Sequence, residues 1–260
     1  MESFQRNKQY TSRLLKGGAL LADMRLLVNT WSEEMENTDP IPTLARILPK
    51  TTTARVKDTF IRAFRPRFLE GSPPNAWLLA KTLENQSADV QIIRPFYYWV
   101  TARAEAPLYE FATDIVYSRS RSNLREIRIE ETVSWLTQQV RKAGKTWTPT
   151  VTKKVARGIL AALRDFGILE GSVRKRIATP IVPPEAFALI SFCLNETAIT
   201  GRELVRHLDW RLFLLGETGV EHLFLECHQH GWLKFESAGN LSRIEFPDVS
   251  FEEYTHGVLG

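Results

Sequence analysis

The stretch 148–182, TPTVTKKVARGILAALRDFGILEGSVRKRIATPIV, constrains the fold more than any other part of the chain. Thr148 can cap a helix, and Pro149 suits the first helical position, where its missing N–H has no partner anyway. Val151, Val155, Ile159, Ala162, Leu163 and Phe166 recur at helical spacing and define a face to bury. Lys153, Lys154, Arg157 and Arg164 gather on the other side, within roughly 100° at about 100° per residue. Leu160 is the misfit on that basic side, and the sequence leaves its packing partner open. Gly167 stops the helix. Ile168-Leu169 then reads as a short strand, Glu170-Gly171-Ser172 as a turn, and 174–177 as the return strand. A winged helix-turn-helix offers nucleic acid a recognition helix and a basic wing in this order. The helix charge is Lys153, Lys154 and Arg157, and the wing charge is Arg174, Lys175 and Arg176.

Charge is unevenly spread. The net charge is only +4 over 260 residues. Yet 138–182 holds ten Lys/Arg against two acids, a net of +8, and 195–255 holds eleven acids against five bases, a net of −6. This split fits a basic face for nucleic acid and an acidic region for a protein partner. With 43% hydrophobic residues the chain can bury a real core and has room for two domains. Two cysteines, Cys193 and Cys227, do not suggest a secreted disulfide scaffold. The first ten residues show no apolar leader, and the longest apolar run, 186–194, is far too short to span a bilayer. A cytoplasmic protein with no membrane partner is the expectation.

The organisation predicted is mainly α-helical. A helical domain occupies 1–140, and a winged-helix-like region with short hairpin wings occupies 141–260, as a basic unit (145–182) and an acidic unit (183–260). Within the first domain, 12–31 reads as one helix with a break or close backbone approach at Lys16-Gly17-Gly18. A short helix at 43–48, a Thr-rich turn and a longer helix at 54–64 make a second helix-turn-helix pattern, spanning 43–68. Lys50, Arg55, Arg62 and Arg65 lie on it, interrupted by Asp58, and serve either a second nucleic-acid surface or a solvated bundle face. The aromatic run at 94–99 reads as core. The segment 117–128, YSRSRSNLREIR, is either a phosphate-contacting loop or a plain connector. In the acidic unit, helices at 185–195, 200–208 and 218–230 lead through Gly231 into a hairpin at 232–246. The second of these helices is capped by Thr200 with Glu203. CHQHGWLKF there echoes LRDFGILEG, as a weak repeat or as the shared grammar of a helix feeding a strand.

Catalytic signatures are missing. There is no GxxxxGK[ST], GxGxxG or G-x-S-x-G. His222, Glu226 and His230 share a helical face but match no established metal spacing and have no fourth ligand. No catalytic residue, cofactor or metal is predicted.

Three segments resemble one family, the BREX phage-defence protein A family: YTSRLLKGGALLADMRLLVNTW (10–31), LARILPKTTTARVKDTFIRAFRPRF (44–68) and the run from 147 to 184. The resemblance implies a small, mostly helical, non-enzymatic accessory protein that binds DNA and works beside other BREX proteins. The acidic unit carries the least of it. The expected function is therefore double-stranded DNA binding, mainly through phosphates and with weak sequence preference. A dimeric transcriptional regulator, an RNA-binding factor and a protein-interaction scaffold remain as alternatives.

Overall fold

Gly158 and Gly18 decide how the two halves of the first 180 residues meet. A Cβ on Gly158 would lie 2.2 Å from the carbonyl oxygen of Leu14, and one on Gly18 would lie 2.9 Å from the backbone nitrogen of Ala162. The N-terminal segment thus rests its backbone directly on the basic helix. The close approach read at Lys16-Gly17-Gly18 is real, and it ends the helix expected over 12–31. A 3-10 turn at Arg13–Lys16 stops there, and α1 starts afresh at Leu21–Thr30.

The structure, a computed structural model, describes residues 8–122, 124–196, 200–239 and 241–260. The reading of the first ten residues falls mostly outside them. After α1 come a 3-10 turn (Glu33–Asn37), α2 (Ile41–Ile47) and α3 (Thr53–Thr59). α3 runs on as a π-helical stretch over Phe60–Leu69, past the point where the sequence pattern ends it. Pro66 sits inside this stretch, where its missing N–H interrupts the regular helical hydrogen bonding. α4 (Ala76–Asn85) and α5 (Val90–Ala104) follow. Next come α6 (Ala106–Glu110), a π-helical Phe111–Val116 and α7 (Tyr117–Ser120). Phe60, Trp31, Phe64, Phe68 and Tyr97 pack ring to ring in that order at centroid spacings of 5.1 to 5.6 Å. The 96–99 aromatics are fully buried, as expected of core.

The basic unit comprises β1 (Glu126–Ile127), α8 (Ile129–Lys142), α9 (Pro149–Asp165), β2 (Leu169–Glu170) and β3 (Lys175–Ile177). The strands form one antiparallel sheet in the order β1-β3-β2. Glu126 faces Arg176, and Leu169 faces Ile177. β1 was not foreseen, and it joins residues on both sides of the boundary placed at 140. The acidic unit comprises α10 (Pro184–Asn195), α11 (Gly201–Val205), a 3-10 turn (Leu208–Phe213), α12 (Glu217–Gln229), the hairpin β4 (Lys234–Ala238) and β5 (Leu241–Glu245), and a last helix α13 (Phe251–Leu259). α13 is a further element that sequence reading did not give.

A buried polar knot fixes the acidic unit to α5. Asp209 accepts from Trp99 Nε1, Arg103 Nη1 and Tyr109 Oη, each at 2.6 Å. Burial acts to raise this carboxyl, but Arg103, His207 and the Tyr109 hydroxyl together hold it below the ordinary carboxylate range.

Candidate nucleic-acid surface

α9 is built by local chemistry. Thr148 Oγ1 accepts from the Val151 N–H at 3.4 Å. At the far end Gly167 takes φ +81°, its N–H donates to Arg164 O and that of Ile168 to Leu163 O. This paired capping turns the chain sharply into β2. α12 closes through Gly231 in the same manner, with Gly231 donating to His228 and Trp232 to Cys227. The echo between the two segments is therefore explained by a common helix cap.

The apolar face of α9 is buried, and Leu160 with it, at 5% exposure. Leu160 borders a groove shared with the hairpin and the start of α8, so part of the basic side of α9 faces that groove. That groove, about 610 Å³, is lined by Arg157, Leu160 and Arg164 of α9, Val173, Arg174 and Lys175 of the hairpin, and Arg128, with Glu126 and Glu130 as its carboxylates. Arg157 of the helix and Arg174 of the wing meet there.

The predicted cations are not equivalent. Lys153, Lys154, Arg157, Arg174 and Arg176 are exposed, and none has an ion-pair partner among the described residues. Lys175 differs from both its neighbours. Strand alternation turns it inward, it is 8% exposed, and its ammonium donates to the carbonyls of Gly171, at 2.8 Å, and Ser172. Burial, and then the nearby Arg164, push its pKa down. It closes the turn from inside. The turn also needs Gly171, which has φ +87° and whose Cβ would lie 2.1 Å from Arg174 O.

The N-terminal group is arranged otherwise. α2 and α3 do follow one another in helix-turn-helix order, but most of their charge is compensated. Lys50 is half-buried on Asp23 at 2.6 Å, Arg62 pairs with Asp58 at 3.0 Å, and Arg65 with Glu70 at 2.7 Å. Only Arg55 of the four is without an ion pair among the described residues. Lys50, Arg55 and Arg62 are brought together at a cleft, whereas Arg65 lies elsewhere, beside Glu70.

Sequence reading left one set unresolved. Arg119, Arg125 and Arg128 from 117–128 share an open groove of about 720 Å³ with Arg176. Arg119 is tied to Glu131 at 2.9 Å and Arg128 to Glu126 at 3.2 Å, while Arg125 carries no ion pair among the described residues. The available signal was the alternation Arg125-Glu126-Ile127-Arg128-Ile129, which places Ile127 inward.

The acidic unit compensates three of its five cations, Arg202, Arg206 and Arg243, among the described residues. Arg202 and Arg206 both pair with Glu217, at 2.6 and 3.2 Å. His230 stacks on Trp232 with centroids 4.4 Å apart. Among the described residues no group of three or more His, Cys, Asp or Glu is placed to hold a metal.

Fold and surface thus define a mainly helical protein that displays a basic helix and hairpin. A sequence model of the BrxA family matches residues 8–192, and the chain belongs to that family. Membership makes it a BREX phage-defence component. No curated protein matches it in sequence. Among solved structures it is similar to an uncharacterized protein from Magnetospirillum magneticum, at TM-score 0.57 and 15% identity, over 78% of this chain and 97% of that one. That likeness speaks for the fold alone. No helix among the described residues is long and apolar enough to cross a membrane.

Proposed function

We propose that this chain is the double-stranded-DNA-binding accessory component of its BREX system, a binding protein and not an enzyme, acting in the cytoplasm. In this reading 126–177 is a winged helix, with α9 as recognition helix and β2–β3 as wing. The observation that carries it is the set of five exposed, unpaired cations on adjoining elements: Lys153, Lys154 and Arg157 on α9, Arg174 and Arg176 on the hairpin. Arg125, beside Arg176, extends the surface. Uncompensated lysines and arginines bind phosphate by releasing counterions, so affinity falls steeply with salt. None of the five is placed by a rigid partner as a base reader needs to be, so sequence preference is weak. The acidic unit, poor in free cations, faces protein partners of the same system.

The test is fluorescence anisotropy of the full chain with labelled duplex across a salt series, with single-stranded DNA and RNA as competitors. Salt-sensitive binding, resisted by single-stranded DNA and RNA, supports the reading. Absence of duplex binding at low salt overturns it, and stronger competition by RNA moves the assignment to an RNA-binding factor.

A further inference from the structure

The N-terminal segment and α3 enclose a cleft of about 330 Å³ lined by Arg13, Lys16, Lys50, Arg55 and Arg62, with Asp58 the one carboxylate on its wall. Its volume lies at the small end of the range for small-molecule sites and is far too narrow for a duplex. We propose that this cleft is a binding site for a phosphate-bearing anion, the phosphate end of a nucleotide either free or at the 5′ terminus of a DNA strand.

Charge alone does not carry this, because most of these cations have partners. The balance does. Asp23 holds Lys50, Asp58 serves both Lys16 at 2.9 Å and Arg62 at 3.0 Å, and Glu105 is shared by Arg13 and Arg67, each at 3.6 Å. Counting Arg55, six cations therefore meet three carboxylates. The surplus is concentrated at the mouth. Arg62 gives Asp58 only its Nε, and Arg55 offers one long contact, 3.5 Å, to Thr51 Oγ1. No other partner holds their terminal nitrogens among the described residues. Two guanidinium forks at a concave mouth match a phosphate in two directions, as flat surface cations do not. The floor is prearranged. Arg13 is held by Ala104 O at 3.1 Å and Thr11 Oγ1 at 3.1 Å, and Lys50 by Asp23. Lys16, whose hydrogen bond does most to hold the Asp58 carboxyl below its ordinary range, is exposed enough to turn from Asp58 to an incoming anion.

The site is separate from the duplex-binding surface, so the two readings fail separately. Isothermal titration of the full chain with inorganic pyrophosphate and with ADP, in chloride buffer, should give saturable binding. Arg55→Gln and Arg62→Gln, both exposed and outside the core, should each weaken it about tenfold or more at an unchanged Tm. The double variant Arg174→Ala/Arg176→Ala should leave it unchanged while weakening duplex binding. ADP binding more tightly than pyrophosphate assigns a free nucleotide. Displacement of pyrophosphate by a 5′-phosphorylated DNA hairpin but not by its 5′-hydroxyl twin assigns a strand end. The proposal is overturned if neither pyrophosphate nor ADP saturates and the two hairpins bind alike, or if binding survives in R55Q/R62Q.

Discussion

Three consecutive residues on β3 and the turn before it separate charge from contact. Arg174 and Arg176 are exposed, whereas Lys175 between them is buried with its ammonium on turn carbonyls. With five phosphate contacts the slope of log affinity on log salt is about −4.5, and with three about −2.7. Raising salt from about 50 to about 200 mM then weakens the parent about 500-fold and Arg174→Ala/Arg176→Ala about 40-fold. Lys175→Met keeps the buried stem and removes the same unit charge. Its slope should stay at the parent value, while Tm falls through loss of hydrogen bonds worth ~1–2 kcal/mol, or about 2–4 °C for each kcal/mol. The assay is the anisotropy salt series with calorimetry alongside. A Lys175→Met slope reduced by about one unit, as for a lost contact, or an unchanged slope in the double arginine variant, refutes the assignment of the wing face.

Gly158→Ala places a methyl 2.2 Å from Leu14 O, a contact with backbone that cannot give, and should cost ~1–3 kcal/mol in thermal unfolding. Asp209→Asn leaves Arg103 buried without its counter-charge and should cost ~3–5 kcal/mol by denaturant titration. Because the Asp209 carboxyl is held below its unfolded value, its contribution is complete above about pH 3.9 and is lost as pH falls through the lower folded value. The acid limb of stability against pH should therefore flatten in Asp209→Asn. Thr148→Ala removes the cap of α9 and should lower stability by ~1 kcal/mol, read as a Tm shift.

What the sequence made legible was local. The cap at Thr148, the stop at Gly167 and the periodic apolar face of α9 each depend on residues within a few positions, as does the capping box of Thr200 and Glu203. Non-local facts were hidden. β1 is two residues long, too short for a periodic signal, and exists because β3, some fifty positions later, lies beside it. Asp23 neutralises Lys50 and Glu105 neutralises Arg67 across 27 and 38 positions, so a count of cations in 46–67 could not say which remained free. The case of Lys175 was readable in principle. Alternation along a strand puts 174 and 176 on one side and 175 on the other, but a run of three basic residues invites treatment as a single patch.

Geometry, more than charge, divides the two basic regions. Arg157 and Arg164 of α9 open onto the hairpin groove, while Gly158 and Ala162, an adjoining side of the same helix, receive the backbone of the N-terminal segment. That segment supplies Arg13, Lys16 and Gly17 to the small cleft. One layer of backbone therefore separates the helix-and-hairpin surface from the small cleft. Holding two cationic regions this close is unfavourable by Coulomb repulsion. Direct glycine-to-backbone contact resists it without side chains that could swing apart, and buried Asp23 and Glu105 lower the field on the cleft side alone. Among the described residues the carboxylates at the grooves of the helix face, Glu126, Glu130, Glu131 and Glu170, are not buried. In the functions proposed above, the charge of that face is the part left for an external polyanion, and the cleft takes the small anion.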